Sequence, residues 1–231
     1  MFRYMLGGGE MQSYLISMLL SLPIILLSLS VHETAHGYAA WRLGDPTARN
    51  FGRLTLNPAR HLDPIGFLCM MLAGFGWAKP VPVNSRNFKK PRRDMALVGL
   101  AGPLSNLLLA ILFLLLLRFV GFGVLASRLY PSELTARMAY FFILFLYYGV
   151  YMNLTLAIFN LLPAPPLDGS RIFYLFLPPR LYYKVMQHER TIMLVIMVLL
   201  VAGPLAQLIR LLTTALLSLM FKLVGMPGFL I

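Results

Sequence analysis

"SLSVHETAHGYAAW", residues 28–41, places His32, Glu33 and His36 inside an otherwise apolar run. Ionisable side chains are costly in such surroundings and are read as functional before they are read as structural. The run that carries them, residues 12–41, exceeds the roughly 20 apolar residues needed to cross a bilayer. It follows a flexible "GGGE" and ends at Arg42, ahead of "LGDP". A spanning helix with polar chemistry at one end is the expectation from which the rest of the chain is read.

Composition points the same way. Of 231 residues, 59% are hydrophobic and 12% charged, and the mean hydropathy is +0.76. A soluble domain carries about 25% charged residues. The balance of 20 Lys+Arg against 8 Asp+Glu gives +12. In a polytopic membrane protein that excess belongs to loops that set orientation, so no nucleic acid partner is expected. The single cysteine, Cys69, excludes an intramolecular disulfide and a Cys-rich zinc site. It reads as a small apolar filler. Only Arg3 precedes the first apolar stretch, which runs on into the histidine motif with no small-residue cleavage site before it, so that stretch reads as a retained span and not a signal peptide.

Beyond Arg42 the chain turns polar. "RLGDPTARNFGRLTLNPARHLDP", rich in Gly, Pro, Asn and Asp, reads as loop or short strand. Residues 65–78, "IGFLCMMLAGFGWA", are apolar but too short to span, and read as re-entrant or interfacial. "KPVPVN" is extended, because two prolines flank a valine. Further spans are expected at about 95–118 and 138–162, the latter ended by the prolines of "NLLPAPPLDG". A last apolar segment begins near 191, kinks at Gly203-Pro204 and carries a polar stripe of Gln207, Arg210, Thr214, Ser218 and Lys222. That stripe faces the bundle or lies along the interface. The fold class is therefore all-α and polytopic: about four spanning helices, a short re-entrant or extended segment at 65–84, and a kinked, partly amphipathic C-terminal helix. The whole chain, 1–231, forms one membrane-embedded unit with its core at about 12–175. With four spans, residues 42–94 and 163–190 hold 14 of the 20 Lys and Arg on one side. That side is cytoplasmic by the distribution of positive charge, in a prokaryotic plasma membrane.

"HETAH" is H-E-x-x-H. On a helix His32 and His36 lie about 40° apart around the axis, so both imidazoles reach one metal ion. Glu33 shares that half of the helix and reaches a water without being a ligand. This is the division of labour of a zinc hydrolase, with two histidines as ligands and the glutamate as base. Chance gives roughly 0.001 such motifs in a chain of this composition. The competing reading is a pair of helix-end histidines with a structural role. One Zn²⁺ needs a third protein ligand. His61 and His188 fall in polar loops and read as solvated. Asp168 in "PLDG" is the better candidate, because the broken end of the third span can turn its carboxylate inward. Asp45, Asp63 and Asp94 stand beside charged or loop residues. "GPLSN", 102–106, opens the second span from the same side, so three motifs on three spans arrive at similar depth. Asn106 and Asn160 read either as inter-helix hydrogen bonders or as contacts to substrate backbone or a developing oxyanion.

The sequence at this point resembles the site-2 proteases, intramembrane zinc metalloproteases. The likeness rests on "HETAH" at 32–36, "NLLPAPPLDG" at 160–169, "GPLSN" at 102–106 and "LNPARHLDPIG" at 56–66, and covers roughly 28–175. It implies His32, His36 and Asp168 as zinc ligands, Glu33 as catalytic base, and cleavage of a peptide bond in or near a transmembrane segment of another membrane protein, the expected partner besides the lipid bilayer. Many members carry a PDZ domain in a loop; no loop here has room for one. A transmembrane substrate must unwind before cleavage. "AKPVPVN", 78–84, is suited to accept it as an added strand through the N–H groups of Val81 and Val83, or is simply a rigid connector. The rival class is a non-enzymatic metal-binding membrane protein, a transporter or a scaffold.

Overall fold

The computed structural model of the chain describes residues 8–73, 76–126 and 133–226. They form an all-α protein with no strand among the described residues. Four helices are long and apolar enough to cross a membrane: Ile16–Arg42 within α1 (Gly8–Arg42), Pro91–Val120 within α4 (Pro91–Ala126), α5 (Glu133–Asn160) and α9 (Pro204–Leu223). α4 packs against both α1 and α5, and α9 packs against α5 and joins the apolar cluster that α4 and α5 share.

The short elements lie at one end of this bundle. The polar loop after α1 is not wholly irregular. It holds a one-turn helix α2 (Thr47–Asn50) and a 3-10 turn at Pro58–Arg60. Local side-chain bonds make both possible: Asp45 accepts from the Thr47 N–H, and Asn57 from the Ala59 N–H. α3 (Pro64–Ala73) has 10 residues, too short to span. Residues 78–84 contain no helix, as their prolines require, and Ala78 forms an isolated antiparallel bridge with Leu62. α5 stops at Asn160, two residues before the expected end, because Pro163 cannot continue the helix. The chain then turns into α6 (Asp168–Phe173).

The C-terminal segment is broken rather than bent. α7 (Pro179–Gln187) and α8 (Glu189–Val201) precede Gly203, whose φ of +101° ends one helix before Pro204 begins the next. A left-handed residue is cheap for glycine, and proline is favoured in a first helical turn. Only α9 of this segment has spanning length. Its bundle face is Ile209, Thr213, Leu217 and Phe221, spaced by four. Of the polar stripe expected to face the bundle or the interface, Gln207, Arg210 and Lys222 point away from the protein's own core.

Candidate metal centre

His32 and His36 lie one turn apart on α1, ten and six residues before its end at Arg42. Both are buried. α6 starts at Asp168 against them, because the proline-rich turn after α5 brings the chain back to the bundle. Gly169 is needed for that turn: a Cβ there would lie 2.2 Å from the Leu161 carbonyl oxygen. The two Nε2 atoms are 3.0 Å apart, and each is 3.1 Å from Asp168 Oδ2. These are the residues among those described that group as a possible metal site.

The hydrogen bonds behind the rings fix what the three atoms are. A carbonyl can only accept, so the Val98 oxygen, 2.7 Å from His36 Nδ1, places the proton on that nitrogen. For His32 the chain of hydrogen bonds begins on α5. Asn153 Nδ2 donates to the Gly149 carbonyl, which leaves Asn153 Oδ1 to accept from Asn106 Nδ2 at 3.0 Å. Asn106 Oδ1 therefore faces His32 Nδ1 at 2.6 Å, and Nδ1 carries the proton. Both Nε2 atoms then present lone pairs toward the carboxylate oxygen of Asp168. Three acceptors converging at about 3 Å repel one another unless a cation lies between them.

The spacing suits zinc. Tetrahedral ligands at about 2.0 Å stand roughly 3.3 Å apart, against the 3.0 and 3.1 Å found here. Space for the rings comes from Gly102 on α4. A Cβ there would sit 2.5 Å from His36 Cε1 and Nε2 and 2.6 Å from His32 Cε1. The glycine of "GPLSN" thus admits the imidazoles, while the asparagine of the same motif orients one of them.

Glu33 is buried beside this triangle and makes no bond to it. Its Oε2 accepts from the Val81 N–H at 2.9 Å. That amide is consequently not free as a strand edge. The Val83 N–H has no hydrogen bond among the described residues. Asn106 is fully buried and committed to His32, Asn153 and the Ser28 carbonyl, so it presents nothing to a substrate. Asn160 donates back to the Leu156 carbonyl of its own helix.

The structure corrects one expectation for the polar loops. His61 is not solvated but 1% exposed, with Nε2 2.7 Å from the Thr55 carbonyl oxygen. Asp45 is fully buried as well. It accepts from the N–H and hydroxyl of Thr47, the N–H of Asn84 and the amide of Asn87. Burial alone would raise its carboxyl; the bonds from Thr47, Asn84 and Asn87 outweigh it and hold the group below the usual carboxylate range. His188 is exposed, as expected. Asn153 and Arg53 were not singled out by sequence reasoning. The only signal for Asn153 was an amide in the middle of a spanning segment.

Known proteins share much of this sequence. YwhC of Bacillus subtilis, named as a zinc metalloprotease, is 46% identical over 178 residues, covering 77% of this chain and 78% of that protein. Rip2 of Mycolicibacterium smegmatis, named likewise, is 34% identical over 149 residues, which span 62% of this chain and 52% of Rip2. The zinc metalloprotease MJ0392 of Methanocaldococcus jannaschii is 26% identical over 160 residues, 69% of this chain and 35% of its own length. No solved structure gives a significant match. The profile of Peptidase family M50 matches residues 20–204, from within the first span to the first residue of α9, and the chain accordingly belongs to the M50, or site-2 protease, family of membrane zinc metalloproteases.

Proposed function

We propose that this chain is an intramembrane zinc endopeptidase that binds one zinc ion through His32, His36 and Asp168 and cleaves a peptide bond in or near a transmembrane segment of another membrane protein. The observation that carries the reading is the buried triangle of acceptor atoms, with His32, His36 and Glu33 on a helix long enough to span a bilayer and Asp168 brought to them by the short α6. Zinc, when bound, supplies a Lewis acid that polarises the scissile carbonyl and lowers the pKa of water. Glu33 takes the proton of the attacking water and passes it to the leaving amine. His32 and His36 remain neutral ligands, their Nδ1 protons held by Asn106 and Val98.

The substrate's helix unwinds locally, since a helical carbonyl is already bonded and wrapped by side chains. The unwound chain lies along residues 78–84, with Val83 as the available donor, since the Val81 N–H is taken by Glu33. The site opens toward the cytoplasm of a prokaryotic plasma membrane, in keeping with the 14 basic residues on that side. Single cysteines at Ser85 and Ser127, in a Cys69→Ala background, should label from opposite faces; Ser127 lies outside the described residues.

The deciding experiment co-expresses the protein with tagged single-span proteins and compares wild type with Glu33→Gln. Cleavage by wild type alone supports the proposal. Zinc flux across vesicles with no cleavage of any substrate would favour the transporter reading. A transporter, however, needs ionisable groups along a path through the bilayer, whereas these gather at one depth.

A further inference from the structure

Arg53, in the loop after α2, is 7% exposed and makes no ion pair among the described residues. A buried guanidinium without a carboxylate is expensive. Its hydrogen-bonding partners are two backbone carbonyls: Nη2 lies 2.6 Å from the Lys79 oxygen and 3.3 Å from the Pro80 oxygen. The next residue, Val81, gives its N–H to Glu33 Oε2 at 2.9 Å. Pro80 and Pro82 have no N–H, so Val81 is the one donor in this stretch of three. The strap is held at its other end too, where Asp45 Oδ2 accepts the Asn84 N–H at 2.7 Å. Close seating is allowed by Gly37, one turn after Glu33. A Cβ there would lie 3.2 Å from Val81 Cγ1 and 2.8 Å from Leu54 Cδ2. Glu33 Oε1 has no hydrogen bond among the described residues.

We propose that Arg53 is a positioning residue for the proposed hydrolysis: it fixes the 78–84 strap so that the Val81 N–H holds one oxygen of Glu33 and leaves the other to take the proton of the attacking water. A carboxylate on a flexible side chain otherwise samples several rotamers, and misplacement of a catalytic group by about 1 Å costs on the order of 10²-fold in rate. The strap is thereby a fixed part of the machinery, not a flap that swings aside for substrate. The inference rests on the protease reading above.

The test uses the purified full chain and, as probe, a fusion protein whose single span carries a Gly-Pro helix break. In Arg53→Ala, kcat should fall about 10–100-fold with KM within about threefold and zinc content unchanged. Arg53→Lys should recover part of the loss, because an ammonium can hold one carbonyl where the guanidinium held two. Val81→Pro, which removes the N–H and leaves Arg53 intact, should reproduce the kcat loss and add little to Arg53→Ala. A loss confined to KM would overturn the proposal, because the strap would then hold substrate without positioning Glu33, and wild-type kcat in Val81→Pro would sink it outright. A second arm needs no substrate. Hydrogen exchange of the peptide covering 78–84 should quicken in Arg53→Ala and Glu33→Ala and stay slow in Glu33→Gln, whose amide oxygen still accepts. Unchanged exchange in Glu33→Ala would also overturn it. If Arg53→Ala fails to fold, Val81→Pro and Glu33→Ala decide. An inactive wild type would count against the protease reading while the exchange arm still judges the strap.

Discussion

Along α4, residues 98–106 and residues 110–117 meet neighbouring helices with opposite chemistry. In the first stretch the Val98 carbonyl, Gly102 and Asn106 meet the histidines of α1 through hydrogen bonds and a close glycine contact. In the second, Ala110, Phe113, Leu114 and Leu117 pack with Leu146, Val150 and Leu154 of α5 and Leu217 and Phe221 of α9, with no polar group in the cluster. Lipid tails are as apolar as leucine, so the second stretch gains little from excluding water and depends on dispersion and fit. Such a region tolerates exchanges that conserve volume. The first stretch does not, because each donor has one acceptor and each ring one tautomer. The comparison predicts that substitutions in the metal half alter chemistry with small effects on stability, and that those in the apolar half do the reverse.

The sharpest way to break that division is at the metal triangle. Glu33→Gln should lower cleavage by about 10²–10⁴-fold yet keep zinc, since Glu33 stands outside the proposed ligand set. His36→Ala and Asp168→Ala should lose both. Zinc per purified protein and cleavage, measured on the same preparations, separate the roles. Full zinc occupancy in Asp168→Ala would reject it as a ligand.

Asn153 probes how far the polar half reaches. It touches neither ring, but it fixes the amide of Asn106 and through it the His32 tautomer. Asn106→Leu and Asn153→Leu should each weaken zinc binding about 10–100-fold, read by competition with a chelator. If Asn153→Leu binds zinc like wild type, Asn106 orients the ring without support from α5.

The apolar half should answer in the opposite currency. Leu154→Ala, at a fully buried position, should cost about 2–4 kcal/mol, seen as a lower Tm in detergent, with zinc affinity unchanged. A loss of zinc there would show that the two halves are mechanically coupled.

The smallest expected effect is the pH response of Asp45. Its carboxyl titrates lower in the folded protein than in the unfolded chain, so its stabilising contribution is present above the unfolded value of about 3.9. It fades as pH falls through the folded value. Asp45→Asn should flatten the acid limb of a stability–pH curve by about 1–2 kcal/mol. An unchanged limb would place acid sensitivity elsewhere.

Much of this protein was legible before any tertiary structure. The spans followed from apolar run length, the end of α5 from three prolines, the extended strap from Pro80 and Pro82, and the pairing of His32 with His36 from helical period. These are local properties, decided by backbone sterics and by residues within a turn of one another. Tertiary structure alone decided which side chains from distant spans share a direction. It turned Asp168 toward the histidines, buried His61, which had read as solvated, buried Asp45 in the polar loops as well, and linked Asn153 to His32 through Asn106. It also set Arg53 behind the strap and spent the Val81 N–H on Glu33. The reason is physical. Period and propensity fix where a residue lies on its own helix, whereas the rotation and depth of one helix against another come from packing and hydrogen bonds between residues as far as 136 positions apart.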